Sequence, residues 1–443
     1  MPLFVLSFFV FSVFQIEAQI INIPTDFPTI QEGIDNAQEG DTVLVAPGTY
    51  FENLHFSGLN IVLASHFLTT NETTFIEQTI IDGDKKNAVI LLNNGESNDS
   101  KIIGLTLRNG SNDESEDMPV FGGGIVCVGA SPTISNNKIT KCVNNYFGYN
   151  DFGGIYCLNS NALIEQNVID SLEGYFVQKY GGIVAHKSNL TISKNTISNT
   201  YGGYCFNCAG ITADSSELDI SSNLIYNGSY DVSPYTASIK LFNSNSTLTN
   251  NTLDGEVGLN YENSISFVNN IIDSPSEDMA IFEMNESNAV ITATYNNLKG
   301  AWFGVGNDNA DPLFVDQENS NYHLTESSPC IDSGDPSLTD PDGTRSDKGA
   351  FYFDQGTTSV NEITEKRIAN IHPNPATDFI RIDLQGYENV MLNILSSTGQ
   401  LVDKQLLTSR NNKINIAQFV PGVYYFVLNS NTKNQVQKVV VVK

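Results

Sequence analysis

Four segments carry most of the side chains that could do chemistry. They read KCVNNYFGYNDFGG (141–154), SLEGYFVQKYGG (171–182), SNTYGGYCFNCAG (198–210) and YNGSYDVSPYTAS (226–238). Within them lie Tyr146, Tyr149, Tyr175, Tyr180, Tyr201, Tyr204, Tyr230 and Tyr235, together with Asp151, Glu173 and Lys179. Scattered exposed aromatics are ordinary. Tyrosines this dense, on evenly spaced segments, suggest a surface for flat rings. A tyrosine face can support a sugar ring while phenol hydroxyls and carboxylates bond its hydroxyls. The tyrosines, Asp151 and Glu173 are therefore candidate substrate-binding residues, and Lys179, Arg108 and His186 are the candidate basic groups. The opposing reading is that the rings pack on one another and fill their own loops.

Whether these segments can act together depends on what spaces them. Asn137, Asn167, Asn195, Asn223, Asn251, Asn270 and Asn297 each sit in a phrase such as TISKNTIS, at steps of 30, 28, 28, 28, 19 and 27 residues. A second marker, Gly124, Gly154, Gly182, Gly210 and Ser238, moves in phase at steps of 30, 28, 28 and 28. Two markers in phase imply one structural unit per period. Between them apolar and polar residues alternate as in strands, broken by Ser, Asn and Gly. A coil of short parallel strands, one turn per period, satisfies this pattern. The aligned asparagines then sit at a corner, where they can tolerate a tight bend and stack as an amide ladder. The aligned Cys127, Cys157, Ala185, Ala213 and Leu241 point into the core, the thiols acting as small hydrophobes. Val126, Tyr156 and Lys240 share an outward column, too mixed for a flat threonine-type binding face. Segments 141–154, 171–182, 198–210 and 226–238 should leave one edge of the coil and line up as a wall.

Formal charge is −28, and it is uneven. Residues 19–356 carry 43 acidic and 13 basic side chains, whereas 357–443 carry 6 and 9. So negative a field excludes nucleic acid and anionic membrane as partners. Residues 1–18, MPLFVLSFFVFSVFQIEA, read as a signal peptide with cleavage near Ala18. No later apolar run reaches the roughly 20 residues needed to span a bilayer. Cys205 and Cys208 form CFNC without a second matching pair, so a local disulfide or unpaired thiols are expected there in preference to zinc.

The repeat resembles the right-handed parallel β-helix of the pectin lyase-like superfamily. The opening INIPTDFPTIQEGIDNAQEGDTVLVAPGTY (21–50) is similar to the start of secreted members, in which a short amphipathic helix caps the coil. Here Ile30, Ile34 and Ala37 would form its buried face, Pro28 its start and Gly40 its end. The stretch from Asp311 to Phe353 resembles the tail of bacterial β-helix proteins, with His323 packing locally. Its DPDGTRSDKGAF offers Asp340, Asp342 and Asp347 as oxygen ligands for calcium, or as turn caps bonded to local backbone. In lyases of this superfamily a Lys or Arg commonly serves as base and a cation neutralises a uronic carboxylate. That resemblance gives Lys179, Arg108 and His186 the catalytic candidacy. Hydrolases of the fold use paired aspartates and a companion His-Gly, and none is found in the coil.

The last segment is a separate module. Residues 371–403 and 419–443, which contain NPATD (374–378), STGQLV (397–402) and GVYYFVL (422–428), alternate as a small antiparallel β-sandwich would. They resemble the C-terminal sorting domain of the type IX secretion route of Bacteroidetes. That resemblance implies a secretion-machinery partner, passage across the outer membrane, and release or surface attachment.

The expected organisation is all-β: a signal peptide (1–18), a right-handed parallel β-helix with a capping helix (19–356), a linker (357–368) and the sorting domain (369–443). The function read from it is a secreted or cell-surface monomer that binds an extracellular polysaccharide. If catalytic, it is a polysaccharide lyase; the alternative is a non-catalytic adhesin or surface structural protein. No cofactor is required, and calcium is the ion the acidic loops could take.

Overall fold

The computed structural model describes residues 18–111, 123–144, 152–175, 179–203, 207–227, 229–230, 237–274, 280–284, 288–300, 303–356, 368–385, 389–396, 400–430 and 434–442, with the backbone alone at several loop positions. Residues 1–17 of the signal peptide, 357–367 of the linker, all of Cys205 and the thiol of Cys208 lie outside what is described. The chain forms two compact units, Met1–Asp354 and Gln355–Lys443.

In the first unit successive turns of the coil contribute short strands to three parallel sheets. The first sheet runs from Ile20–Ile23 to Val290–Thr294, the second from Gly48–Phe51 to Asn297–Leu298, and the third from Leu54–His55 to Ile281–Met284. Equivalent residues stack as rungs, as in the column Cys127, Cys157, Ala185, Ala213, Leu241. All five are fully buried, and Cys127 and Cys157 are free thiols, as expected. The alternation explains the strands. In Asn189–Ser193, Leu190 and Ile192 are buried while Asn189 and Thr191 are exposed. Each such aliphatic side chain contributes about 1.5–3 kcal/mol on burial, and the periodicity keeps a single core running the length of the coil.

The corner between first and second sheets is built by two residues. The first adopts a left-handed backbone: Asn136, Gln166, Lys194, Ser222, Asn250, Asn269 and Tyr295 all have φ between 54° and 59°. The second is the aligned asparagine, which is buried. Asn195 shows the pattern. Its Nδ2 donates to the Ile164 carbonyl at 2.9 Å and to Asn223 Oδ1 at 3.0 Å, while its Oδ1 accepts from Asn167 N at 2.9 Å and Asn167 Nδ2 at 3.0 Å. The ladder thus satisfies backbone groups that the bend removes from the sheets. Two corrections follow. The left-handed residue precedes the asparagine, and the ladder continues after Asn270 through Asn296 to Asn307 instead of Asn297. Asn297 bonds to Asp308 and Ala310.

The corner between third and first sheets carries a second ladder that the sequence reading missed. Backbone N–H groups of Ser160, Ser188 and Ser216 donate to the hydroxyls of Ser188, Ser216 and Ser244 at 3.1–3.2 Å, and Ser244 N donates to Asn263 Oδ1 at 3.0 Å. At the third corner, from second sheet to third, no such ladder is found among the described residues, and the chain runs out into the loops.

The glycine marker is a packing requirement. A methyl group on Gly124, Gly154, Gly182 or Gly210 would overlap Cγ2 of Ile139, Ile169, Ile197 or Ile225. Where the marker is Ser238, the facing residue in this column is Leu253, which carries no branch at Cβ.

Helix α1 (Ile30–Asn36) closes the N-terminal end, capped by the Thr29 hydroxyl, with Ile30, Ile34 and Ala37 buried. It ends at Ala37, before Gly40. Two short helices, α2 (Phe67–Thr70) and α3 (Thr74–Gln78), were not expected. The outward column of the third sheet is also corrected. Val126, Tyr156 and Lys240 do share it, but each is no more than 2% exposed. Alternation gives the direction of a side chain, not what covers it.

The second unit is two antiparallel sheets around one core that includes Ile380, Ile382, Leu392, Ile394, Phe426 and Leu428. Asn374, from the NPATD motif, lies along the outer strand Asn434–Val441. Its amide donates to the Lys438 carbonyl at 2.9 Å and accepts from Val440 N at 2.8 Å. Ala376 pairs with the same edge. The motif therefore covers a sheet edge that would otherwise expose unpaired backbone groups.

Candidate functional site

The loops at the open corner do line up. Val143–Asn144 pairs in parallel with Glu173–Gly174, which pairs with Tyr201–Gly202, which pairs with Ser229–Tyr230. On the returning limb Phe152–Gly153 pairs with Tyr180–Gly181, and that with Cys208–Ala209. Second-sheet strands are prolonged into the loops, as in Val168–Tyr175 and Thr196–Gly203, so coil register carries into the wall. Adjacent rungs are then about 4.8 Å apart.

Within this frame Tyr175 has Gly203 as its rung partner, Tyr230 has Gly202, and Tyr201 lies between Glu173 and Ser229. Tyr180 lies between Phe152 and Cys208. These are backbone placements. Glu173 is exposed. Tyr146, Tyr149, Asp151, Tyr204 and Tyr235 lie outside the described residues.

The three basic candidates are not brought together. Lys179 begins the strand Lys179–His186, on a rung with Asn207. His186 ends the same strand, about 23 Å away at 3.3 Å per residue. Its Nδ1 is 3.4 Å from Asp214 Oδ2 on the next rung. Arg108 lies in the second sheet, with Nε 2.7 Å from Oδ2 of Asp82. Burial would raise the Asp82 carboxyl, but donation from Asn109 and Arg108 outweighs it and holds the group below its usual value.

Lys240 and Glu256 are among the buried ionisable groups whose burial the sequence did not disclose. Lys240 is 2% exposed, and loss of hydration pulls its ammonium down to about 8 despite the field of Glu256. Glu256, 1% exposed, accepts from Ser274 at 3.0 Å on one oxygen, and burial raises its carboxyl. The usable signal was a lone lysine in a column that also holds Leu91, Val126, Tyr156, Val184, Thr212 and Gly258.

In the tail, the three aspartates bond to local backbone. Asp342 accepts from Thr344 N at 3.0 Å, Asp340 from Asp347 N at 2.7 Å, and Asp347 from Asp332 N and Phe353 N, both at 2.7 Å. Burial pushes the Asp347 carboxyl up to about 6 and also raises Asp340. Among the described residues, no group of three or more His, Cys, Asp or Glu side chains is arranged to hold a metal ion. Among them, too, no helix is long and apolar enough to cross a membrane.

No curated protein sequence matches the chain. Among solved structures it is similar to PorZ, a surface component of the type-IX secretion system of Porphyromonas gingivalis, at 21% identity over 19% of this chain and 13% of that one (TM-score 0.17). It is similar to an alginate lyase from Paenibacillus sp. at 7% identity over 66% of this chain and 99% of that one (TM-score 0.19). The A-module of a mannuronan C-5 epimerase from Azotobacter vinelandii matches at 13% identity over 64% of this chain and 94% of that one (TM-score 0.21). Residues 370–442 match the family described as the secretion system C-terminal sorting domain. The chain is thus a right-handed parallel β-helix, secreted or surface-exposed, that ends in a type IX sorting domain.

Proposed function

We propose that the protein binds an extracellular polysaccharide along the wall of stacked loops. The observation that carries this reading is the parallel register of four successive loops at the coil's open corner. A repeating surface suits a repeating ligand. At the rungs of Tyr175 and Tyr230 the neighbouring turn supplies glycine, so no side chain of that neighbour competes for space above the rung. The acidity of residues 19–356 adds a condition. A uronic polymer would be repelled, so its binding should require calcium as counter-ion and fall on chelation, whereas a neutral glycan should bind without it.

The Arg108–Asp82 ion pair, the contact of His186 with Asp214 and the separation of both from Lys179 favour holding the glycan without turnover, as an adhesin or surface component would. Lysine 179 remains the base of the competing lyase reading. Glycan-array binding followed by affinity electrophoresis tests both. The full chain should be retained by at least one glycan. The variant Tyr175→Ala/Tyr201→Ala/Tyr230→Ala should lose at least tenfold in affinity, about 1.4 kcal/mol, with an unchanged unfolding midpoint. Equal retention of that variant, or no retention of the wild type, defeats the wall. Growth of ultraviolet-absorbing unsaturated product, lost in Lys179→Ala, would instead establish the lyase.

A further inference from the structure

A second cleft lies at a different corner of the coil. It has a volume of about 630 Å³, a size common for small-ligand sites. One wall is the first-to-second-sheet corner, with Lys194, Ser222 and Asn250 at its edge and Thr196 and Leu224 in the second sheet. The other wall is the tail, from His323 to Tyr352. Both walls are fixed. Asn250 Nδ2 donates to the Asp347 carbonyl at 2.9 Å, and Ala350 N donates to Thr252 Oγ1 at 2.9 Å. Asn269 accepts from Asp335 N on its side chain and from Gly349 N on its carbonyl, at 2.6 and 2.7 Å. Lys348, 1% exposed, anchors the tail by donating to the Asn296 and Gly306 carbonyls and pairing with Asp308. The cleft is therefore built into the fold.

Its lining has a specific chemistry. The His323 ring stacks on Phe351 with centroids 4.3 Å apart and planes at 27°. Beside this pair Tyr352 is 40% exposed and Leu338 39%. The coil wall adds the neutral hydrogen-bonding group Ser222 and the tail wall adds Thr339, and the lining also holds Lys194 and the carboxyls of Asp340 and Asp347. Ring faces lining a cleft together with hydroxyl groups suit a pyranose, whose two faces are apolar and whose rim is polar. The single lysine is countered by Asp340 and by the acidic surroundings, so a ligand without charge fits best.

We infer that this cleft is a second glycan site, separate from the loop wall, which takes a short stretch of a neutral oligosaccharide against Tyr352 and the His323–Phe351 pair. It shares a ligand class with the proposed function but none of its residues, so each can fail alone.

Titration calorimetry of the full chain with xylo-, cello- and manno-oligosaccharides, and with oligogalacturonate as the charged contrast, tests it. At least one neutral oligosaccharide should bind, with Kd raised tenfold or more in Tyr352→Ala and in His323→Ala. Both positions are at the surface, so an unchanged unfolding midpoint separates lost binding from lost fold. No heat with any neutral oligosaccharide overturns the inference. So does a Kd unmoved in both variants, or binding confined to oligogalacturonate. The loop variant is titrated in parallel: binding that it alone abolishes belongs to the wall and also overturns the cleft.

Discussion

At the scale of single residues, the buried asparagines are the least replaceable polar groups in the coil. Asn195 has all its amide hydrogen-bonding directions engaged by neighbouring turns. Replacing it with alanine strands the Ile164 carbonyl and the Asn167 N–H in the interior, each at about 1–3 kcal/mol. Asn195→Ala should therefore cost about 3–5 kcal/mol in chemical denaturation. Asn195→Asp should cost more at neutral pH, because a carboxylate would face the Ile164 carbonyl and the Asn223 side-chain oxygen. Part of that loss should return on acidification, when the carboxyl regains a donor. A mild and pH-independent penalty would mean the ladder is not what holds this corner. Asn195 was legible because its spacing is regular. Asn297 was misassigned because Asn296 adjoins it, and only backbone geometry shows which of the two follows the left-handed residue. The serine ladder was hidden in plain composition: Ser160, Ser188, Ser216 and Ser244 keep a strict period of 28, yet serine fills so many other turns that the period does not stand out.

Among the strands, a glycine of the third sheet and an isoleucine of the second are coupled in each turn. Gly182 leaves room for Cγ2 of Ile197, as Gly210 does for Ile225. The coil itself supplies the natural control, since Ser238 coincides with Leu253. Gly182→Ser alone should overpack this contact and cost about 1–3 kcal/mol. Ile197→Leu alone should cost less. The double variant should recover much of the loss, with a coupling of about 1 kcal/mol or more in a double-mutant cycle. Strict additivity would show that the glycine serves some other purpose. The same in-phase markers made the stacked loops readable, because segments between fixed points of a regular coil must leave from equivalent places. What the loops cover was not readable. Lys240 lies on an outward position by alternation and is nevertheless buried, a fact that depends on contacts from distant turns. The tail cleft was equally invisible, since it joins Lys194 and Asn250 to residues more than ninety positions further along the chain.

Across the whole molecule, the sorting domain and the proposed binding surface belong to units with separate cores. The coil core runs from Ile21 to Leu298, and the sandwich core from Ile368 to Val441, with no member in common. Each strand of the coil is paired with its own neighbours in successive turns, so the coil's cohesion is internal. The sandwich closes its own outer edge through Asn374 and Ala376. Units that satisfy their own backbones and bury their own apolar residues should fold and melt independently. Calorimetry of the full chain should therefore give two transitions. Deleting residues 369–443 should remove one and leave the midpoint of the other unchanged. In cells that use the type IX route, the shortened chain should keep its glycan binding but be retained inside the outer membrane, as fractionation would read. A single transition in the full chain that shifts on truncation would mean that the coil depends on the sorting domain for its stability. Removing the sorting domain after export would then weaken the binding surface as well as detach its address.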